Sequence, residues 1–206
     1  MNNLEINNSI DFYKESIRFI RTNISHKNSD KIIAITSCKE NKGKIELVYY
    51  LSRSFSKIGK KVVLLDLNLK ENELSKILPF KNQKGIIEDI IANKKDLKSC
   101  LIEDDNCDKL NILISGINTD ESSEILDSED MRLLLKKLSD IYDYVIINTP
   151  PAGIFADAAI VSTMADGIVI AVKSNSTTTE ELLKTVDNLR KVDANIIGTV
   201  LIDNKY

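Results

Sequence analysis

The sequence has no tryptophan, one histidine (His26), three cysteines and three prolines in 206 residues, and only seven glycines. Each shortage removes a class of explanation. Cys38, Cys100 and Cys107 stand at unrelated spacings with a single histidine to join them, which argues against a disulfide framework and against a zinc site. No apolar run approaches the roughly 20 residues needed to cross a bilayer. The start, MNNLEINNSIDFYKES, has neither a basic n-region nor an apolar h-region. The expectation is a cytoplasmic chain with no direct membrane insertion, whose link to a membrane comes through a partner. Neither sign of charge dominates: 28 Lys and Arg against 31 Asp and Glu leave a net charge of -3, and nothing implies nucleic acid. There is no internal repeat, no low-complexity tract and no sign of a second domain.

What is present is regular alternation. With 43% hydrophobic and 29% charged residues, the chain suits one domain, 1–206, with a substantial core. Helical spacing falls in residues 10–25, 44–58, 128–140, 155–164 and 179–191. Short runs rich in Val and Ile fall at 31–36, 61–66, 110–114, 144–148, 168–173 and 196–201. Strands alternating with helices predict a three-layer α/β/α fold with a mainly parallel central sheet, whose ligands bind beyond the strands' C-terminal ends. The stretch 70–108 is less regular and reads as two short helices with connecting loops. The acidic run Asp120, Glu121, Glu124, Asp127, Glu129, Asp130 reads as a solvated helix surface.

One loop carries the chemistry. Residues 32–46, IIAITSCKENKGKIE, are a buried-strand pattern entering a loop that ends in Gly43-Lys44. In a phosphate-binding P-loop (Walker A), backbone N–H groups and a helix N-terminus hold phosphate, the lysine reaches the outer phosphates, and the next residue's hydroxyl binds Mg²⁺. Here that residue is Ile45, which has no ligand atom. Two strands downstream end in VVLLDLN, with Asp66 and Asn68, and DYVIIN, with Asn148, at positions where carboxylates hold the metal. The candidate metal site Ile45, Asn68, Asn148 is therefore degenerate, leaving Mg²⁺ weak or absent. Lys39, Lys42 and Lys44 still favour an anion without metal, although Lys39 by itself reads as a solvated side chain. Cys38 reads as a small filler.

A second pattern lies on the first helix. Glu15, Arg18 and Arg21 recur at i, i+3, i+6 along one stripe. The bland reading is a row of intrahelical ion pairs; the alternative is a subunit interface, to which planar, bidentate arginines are suited. Of Thr149-Pro150-Pro151 and Asp157, the prolines shape the loop after the third of these strands, and Asp157 is a helix-start or switch residue.

These segments together resemble the bacterial cytoplasmic tyrosine kinases of capsule and exopolysaccharide operons, relatives of the MinD/ParA ATPases. The resemblance runs through ESIRFIRTNI, AITSCKENKGK, VVLLDLNL, SGINTDESSEILDS, YDYVIINTPPAGIFADAAIVSTMADG and IIGTVLI, in one order. It implies a helical oligomerisation segment at 1–28, with Glu15, Arg18 and Arg21 joining subunits, and a nucleotide-binding core at 29–206. ATP or ADP would be held by Lys39, Asn41, Lys42, Gly43, Lys44, Ile45, Glu46, Asp203 and Asn204, with Lys44 and Asp66 as catalytic groups in an active enzyme. The family's loop is altered here by Glu40, Asn41, Lys42, Ile45 and Glu46; its usual aspartates are Asn68 and Asn148; and Ile202 replaces the asparagine beside the adenine. Its C-terminal tyrosine cluster is reduced to Tyr206. The implied partner is the cytoplasmic tail of a membrane-anchored chain-length regulator. The expectation is thus a catalytically impaired docking or regulatory subunit, the rivals being an active tyrosine autokinase and a MinD-like positioning factor. An amphipathic C-terminal helix would favour the last, and the chain ends at a strand pattern instead.

Overall fold

The computed structural model describes residues 3–26, 30–71, 74, 96–116 and 119–203. Asn204 and Tyr206 lie outside the described residues, as does most of 70–95 beyond Glu71. In chain order the elements are α1 (Asn3–Ser25), β1 (Ile32–Ser37), α2 (Lys42–Lys57), β2 (Val62–Asp66), α3 (Leu97–Cys100), β3 (Ile102–Asp104), β4 (Cys107–Leu113) and α4 (Ser122–Leu126). They continue with α5 (Glu129–Ile141), β5 (Tyr144–Asn148), α6 (Asp157–Ser162), β6 (Gly167–Lys173), α7 (Thr179–Arg190) and β7 (Ile196–Ile202).

Among the described residues the strands form one seven-stranded sheet in the order β3-β4-β2-β5-β1-β6-β7. Every neighbouring pair is parallel except β3 with β4. All of β1 and β2 is buried, because a parallel sheet covered on both faces has no water side to alternate against. Alternate side chains instead divide between two apolar layers. Ala34, Val63, Leu65 and Ile147 pack with Leu135 and Leu138 of α5, Val161 of α6 and Leu189 of α7. Ile33, Ile35, Leu64 and Ile146 pack with Ile17 and Ile24 of α1 and Val48, Leu51 and Phe55 of α2. The expected three-layer α/β/α architecture is what the chain adopts.

The differences from expectation are local. The first helix begins at Asn3 rather than at residue 10, and α6 is shorter than the 155–164 expected. Within 70–108 the described residues hold the four-residue α3 and then β3, a three-residue edge strand with an irregularity between Glu103 and Asp104. A strand that short has no readable period. The acidic run 120–130 spans two helices, broken where Ser128 caps α5 by accepting from the Met131 backbone N–H at 3.2 Å. No described helix is long and apolar enough to cross a membrane.

Candidate nucleotide-binding site

The parallel sheet brings three strand ends to one place. β5 lies between β2 and β1, with Asn148 in register with both Asp66 and Ile35. The loop leaving β1 therefore stands beside Asp66 and Asn148, as the spacing of the segments predicts.

On the loop side, α2 presents 16 residues behind Asn41, so its dipole and the N–H groups of Lys42 and Gly43 face outward, while the Lys44 N–H donates to the Asn41 carbonyl at 2.9 Å. Lys42 is exposed and Gly43 half-buried. Lys44 is buried, and its ammonium donates to the Thr149 carbonyl. Asn41 occupies the N-cap position in extended backbone (φ -149°, ψ 97°) without a side-chain cap bond, and both polar atoms of its amide are buried without a partner. Ile45 is 1% exposed and belongs to the layer holding Val48 and Leu51, so where a hydroxyl would meet a metal this chain has core. Glu46, expected among the nucleotide-binding residues, lines a groove between α1 and α2 together with Tyr13.

Lys39 is not the solvated side chain expected. Its ammonium pairs with both carboxylate oxygens of Glu181 at 3.0 and 3.1 Å. Glu181 also closes the capping box of α7, accepting from the Thr178 backbone N–H at 2.8 Å. The Thr178 N–H first, and Lys39 second, hold its carboxyl below the usual carboxylate range. Cys38, read from the sequence as a small filler, is buried, and burial pushes its thiol up despite a hydrogen bond with Thr185.

The loop after β5 clamps this region. Thr36 Oγ1 donates to the Pro150 carbonyl at 2.8 Å and accepts from the Ala152 N–H at 3.0 Å, while Thr149 Oγ1 donates to the Ile35 carbonyl at 3.1 Å. Gly153 lies so close that a Cβ there would fall 2.1 Å from the Cys38 carbonyl oxygen. Only glycine lets the two loops touch.

The metal side has changed character. Asp66 is wholly buried; its Oδ1 accepts from Asn148 Nδ2 at 2.8 Å and from the Asn68 backbone N–H at 3.1 Å. Its Oδ2 faces the Ser115 hydroxyl at 3.5 Å. Two carboxylates in register here would repel unless a cation lay between them. The Asn148 amide removes that charge and fills the inner oxygen of Asp66 with a donor. What is left for a metal is one carboxylate and the unpartnered amide oxygens of Asn68 and Asn148. This donor set does not fit Mg²⁺, which sheds water reluctantly without carboxylate or phosphate charge. The loop and Lys44, by contrast, fit phosphate.

The remaining expected residues are placed as follows. Asp157 opens α6, buried, and accepts from Ser123 Oγ at 2.8 Å, tying α6 to α4. Asp203 is exposed just past β7. Glu15 and Arg18 pair within α1, well exposed, as the bland reading has it. Arg21 donates to the carbonyl and hydroxyl of Ser54 in α2, both at 3.0 Å, and so anchors α1 inside the protomer. Sequence reasoning gave Thr149 no role of its own and missed Gly153 and Glu181. Only the last had a signal, the Thr178-x-x-Glu181 capping pattern.

Known proteins share this sequence pattern and fold. The AAA domain family model matches residues 30–198. A tyrosine-protein kinase of Bacillus subtilis, YwqD, is 30% identical over 194 residues, covering 93% of this chain and 81% of that protein. The tyrosine-protein kinase CpsD of Streptococcus agalactiae is 26% identical, over 91% of this chain and 82% of its own length. Among solved structures, the chimerical protein CapA2B2 superposes with a TM-score of 0.85 at 26% identity, over 92% of this chain and 83% of that one. The MinD chain of the Aquifex aeolicus MinC:MinD complex shares the fold, with a TM-score of 0.69 at 23% identity over 85% of this chain and 69% of that one. This chain thus belongs to the AAA domain family of P-loop folds and, within it, to the bacterial tyrosine-protein kinases.

Proposed function

We propose that the protein is a kinase-like docking or regulatory subunit of capsular or extracellular polysaccharide assembly whose own phosphoryl transfer is impaired. The observation that carries this is the 2.8 Å bond from Asn148 Nδ2 to Asp66 Oδ1. It puts a fixed amide donor where catalysis in this family needs a cation bridging the β- and γ-phosphates. ATP or ADP binds through the loop amides and Lys44, with little contribution from Mg²⁺. The partners are other copies of the chain, joined along α1, and the cytoplasmic tail of a membrane-anchored chain-length regulator that recruits it to the inner face of the membrane. Family membership supports the pathway.

Titration calorimetry with ATP and ADP tests the chemistry: adding Mg²⁺ changes affinity by less than about threefold. Incubation with Mg-ATP, with or without a regulator tail, leaves Tyr206 and every other tyrosine unmodified. A rival reading, an active autokinase, is favoured by the survival of Lys44 and Asp66 at the strand ends. Phosphotyrosine that forms on the wild type and disappears in Lys44→Ala would establish the rival.

A further inference from the structure

Where α1 crosses α2 it leaves a groove of about 710 Å³ on the helical face of the molecule. Five cations line it, Lys14, Arg18, Arg21, Arg53 and Lys57, against one carboxylate among the described residues, Glu46. Arg18 is already paired with Glu15, so in a chain of net charge -3 the local surplus is three positive charges, five less two. Tyr13 and Tyr50 supply an aromatic surface, their rings meeting edge to face at 5.6 Å and each more than a third exposed. Two of the guanidiniums are fixed in advance: Arg21 by Ser54, and Arg53 by Cys107 Sγ at 3.4 Å and by the Tyr49 ring, 5.4 Å beneath it. Cations held in place lose little freedom when an anion arrives.

We infer that this groove binds a phosphotyrosine-bearing acidic peptide. The inference rests on the kinase-like regulatory reading, since phosphotyrosine is the product of the activity for which the relatives are named. A phosphate of about two negative charges suits the guanidiniums, its phenyl ring suits the partly exposed rings of Tyr13 and Tyr50, and flanking acidic residues meet Lys57. Arg18 and Arg21 also belong to the stripe assigned to self-association, so the peptide and a neighbouring copy compete for one surface.

The test is fluorescence anisotropy, without nucleotide or Mg²⁺, using one labelled acidic peptide carrying phosphotyrosine, tyrosine or phosphoserine at its centre. The phosphotyrosine form binds with a Kd of about micromolar order, and the other two bind at least about tenfold more weakly. Lys57→Glu and Tyr50→Ala, both exposed changes, each weaken it by about fivefold or more while circular dichroism melting is unchanged. Equal affinity for the tyrosine form would reduce the groove to a general acidic docking surface, and equal affinity for phosphoserine would remove the role of the ring. Undiminished binding by Lys57→Glu would move the site elsewhere; each of these results overturns the inference. A kinase assay on the same sample separates the two readings. Phosphotyrosine formed there overturns the impaired-enzyme reading alone, whereas a silent kinase with no peptide binding overturns the groove alone.

Discussion

The two halves of the strand-end site have diverged, one keeping its charges and the other losing them. On the phosphate side, Lys44 and the α2 N-terminus remain, with Lys42 exposed and Lys39 held at the rim by Glu181. On the metal side, a lone buried carboxylate is satisfied by amides, one of them a side chain in register with it. Loss of a metal ligand does not by itself leave a hole. Asn148 bonds the carboxylate that an aspartate there would repel, so Asp66 is held without a cation while the phosphate corner still has an attraction to offer.

The sharpest way to break that contrast is Asn148→Asp. Restoring the carboxylate opposite Asp66 without a cation leaves an uncompensated buried charge, which costs about 3–5 kcal/mol, read from urea denaturation in Mg²⁺-free buffer. Like charges that close force one of the pair to keep a proton, which favours the fold below the ordinary carboxylate range and is lost above it, so the deficit against wild type grows as pH rises from that range. Gly153→Ala comes next: the added methyl meets the Cys38 carbonyl and costs about 1–3 kcal/mol, seen as a lowered Tm. Lys44→Met affects the phosphate half alone, weakening ATP about tenfold by calorimetry, whereas Asn68→Ala in the other half leaves affinity within about twofold. Glu181→Gln has the smallest effect. Because the folded protein holds that carboxyl low, its share of stability is present at neutral pH and fades as pH falls through the lowered value. The variant's Tm therefore drops less between neutral and acid pH than the wild type's.

Most of the sheet and the gathering of Lys44, Asp66 and Asn148 were legible in sequence, because buried parallel strands announce themselves as unbroken apolar runs and their C-terminal ends share one side. The partners of those residues were not. Asn148 and Asp66 are 82 positions apart and Lys39 and Glu181 are 142 apart. A polar residue at a strand end looks the same whether it holds a metal or a neighbour. Arg21 shows the same limit: its period marked a stripe, but its bonds to Ser54 depend on where α2 crosses α1. β3 was hidden for a different reason, its three residues being too few to show alternation.

The position of β1 also bears on how the chain is made. It precedes every other strand of this sheet in the chain, yet its two neighbours are β5 and β6. Ile32–Ser37, uncharged and wholly buried in the finished sheet, emerges from the ribosome more than a hundred residues before Tyr144–Asn148 can pair with it. Until then α1 and α2 can cover one face and α5 the other, but neither of its partner strands is there to pair with it. Pairings this distant in sequence are slow to close, and an unpaired apolar strand invites the wrong neighbour meanwhile. Expression at low temperature, or with a chaperone that shields nascent strands, should accordingly raise soluble yield more than any change at the site.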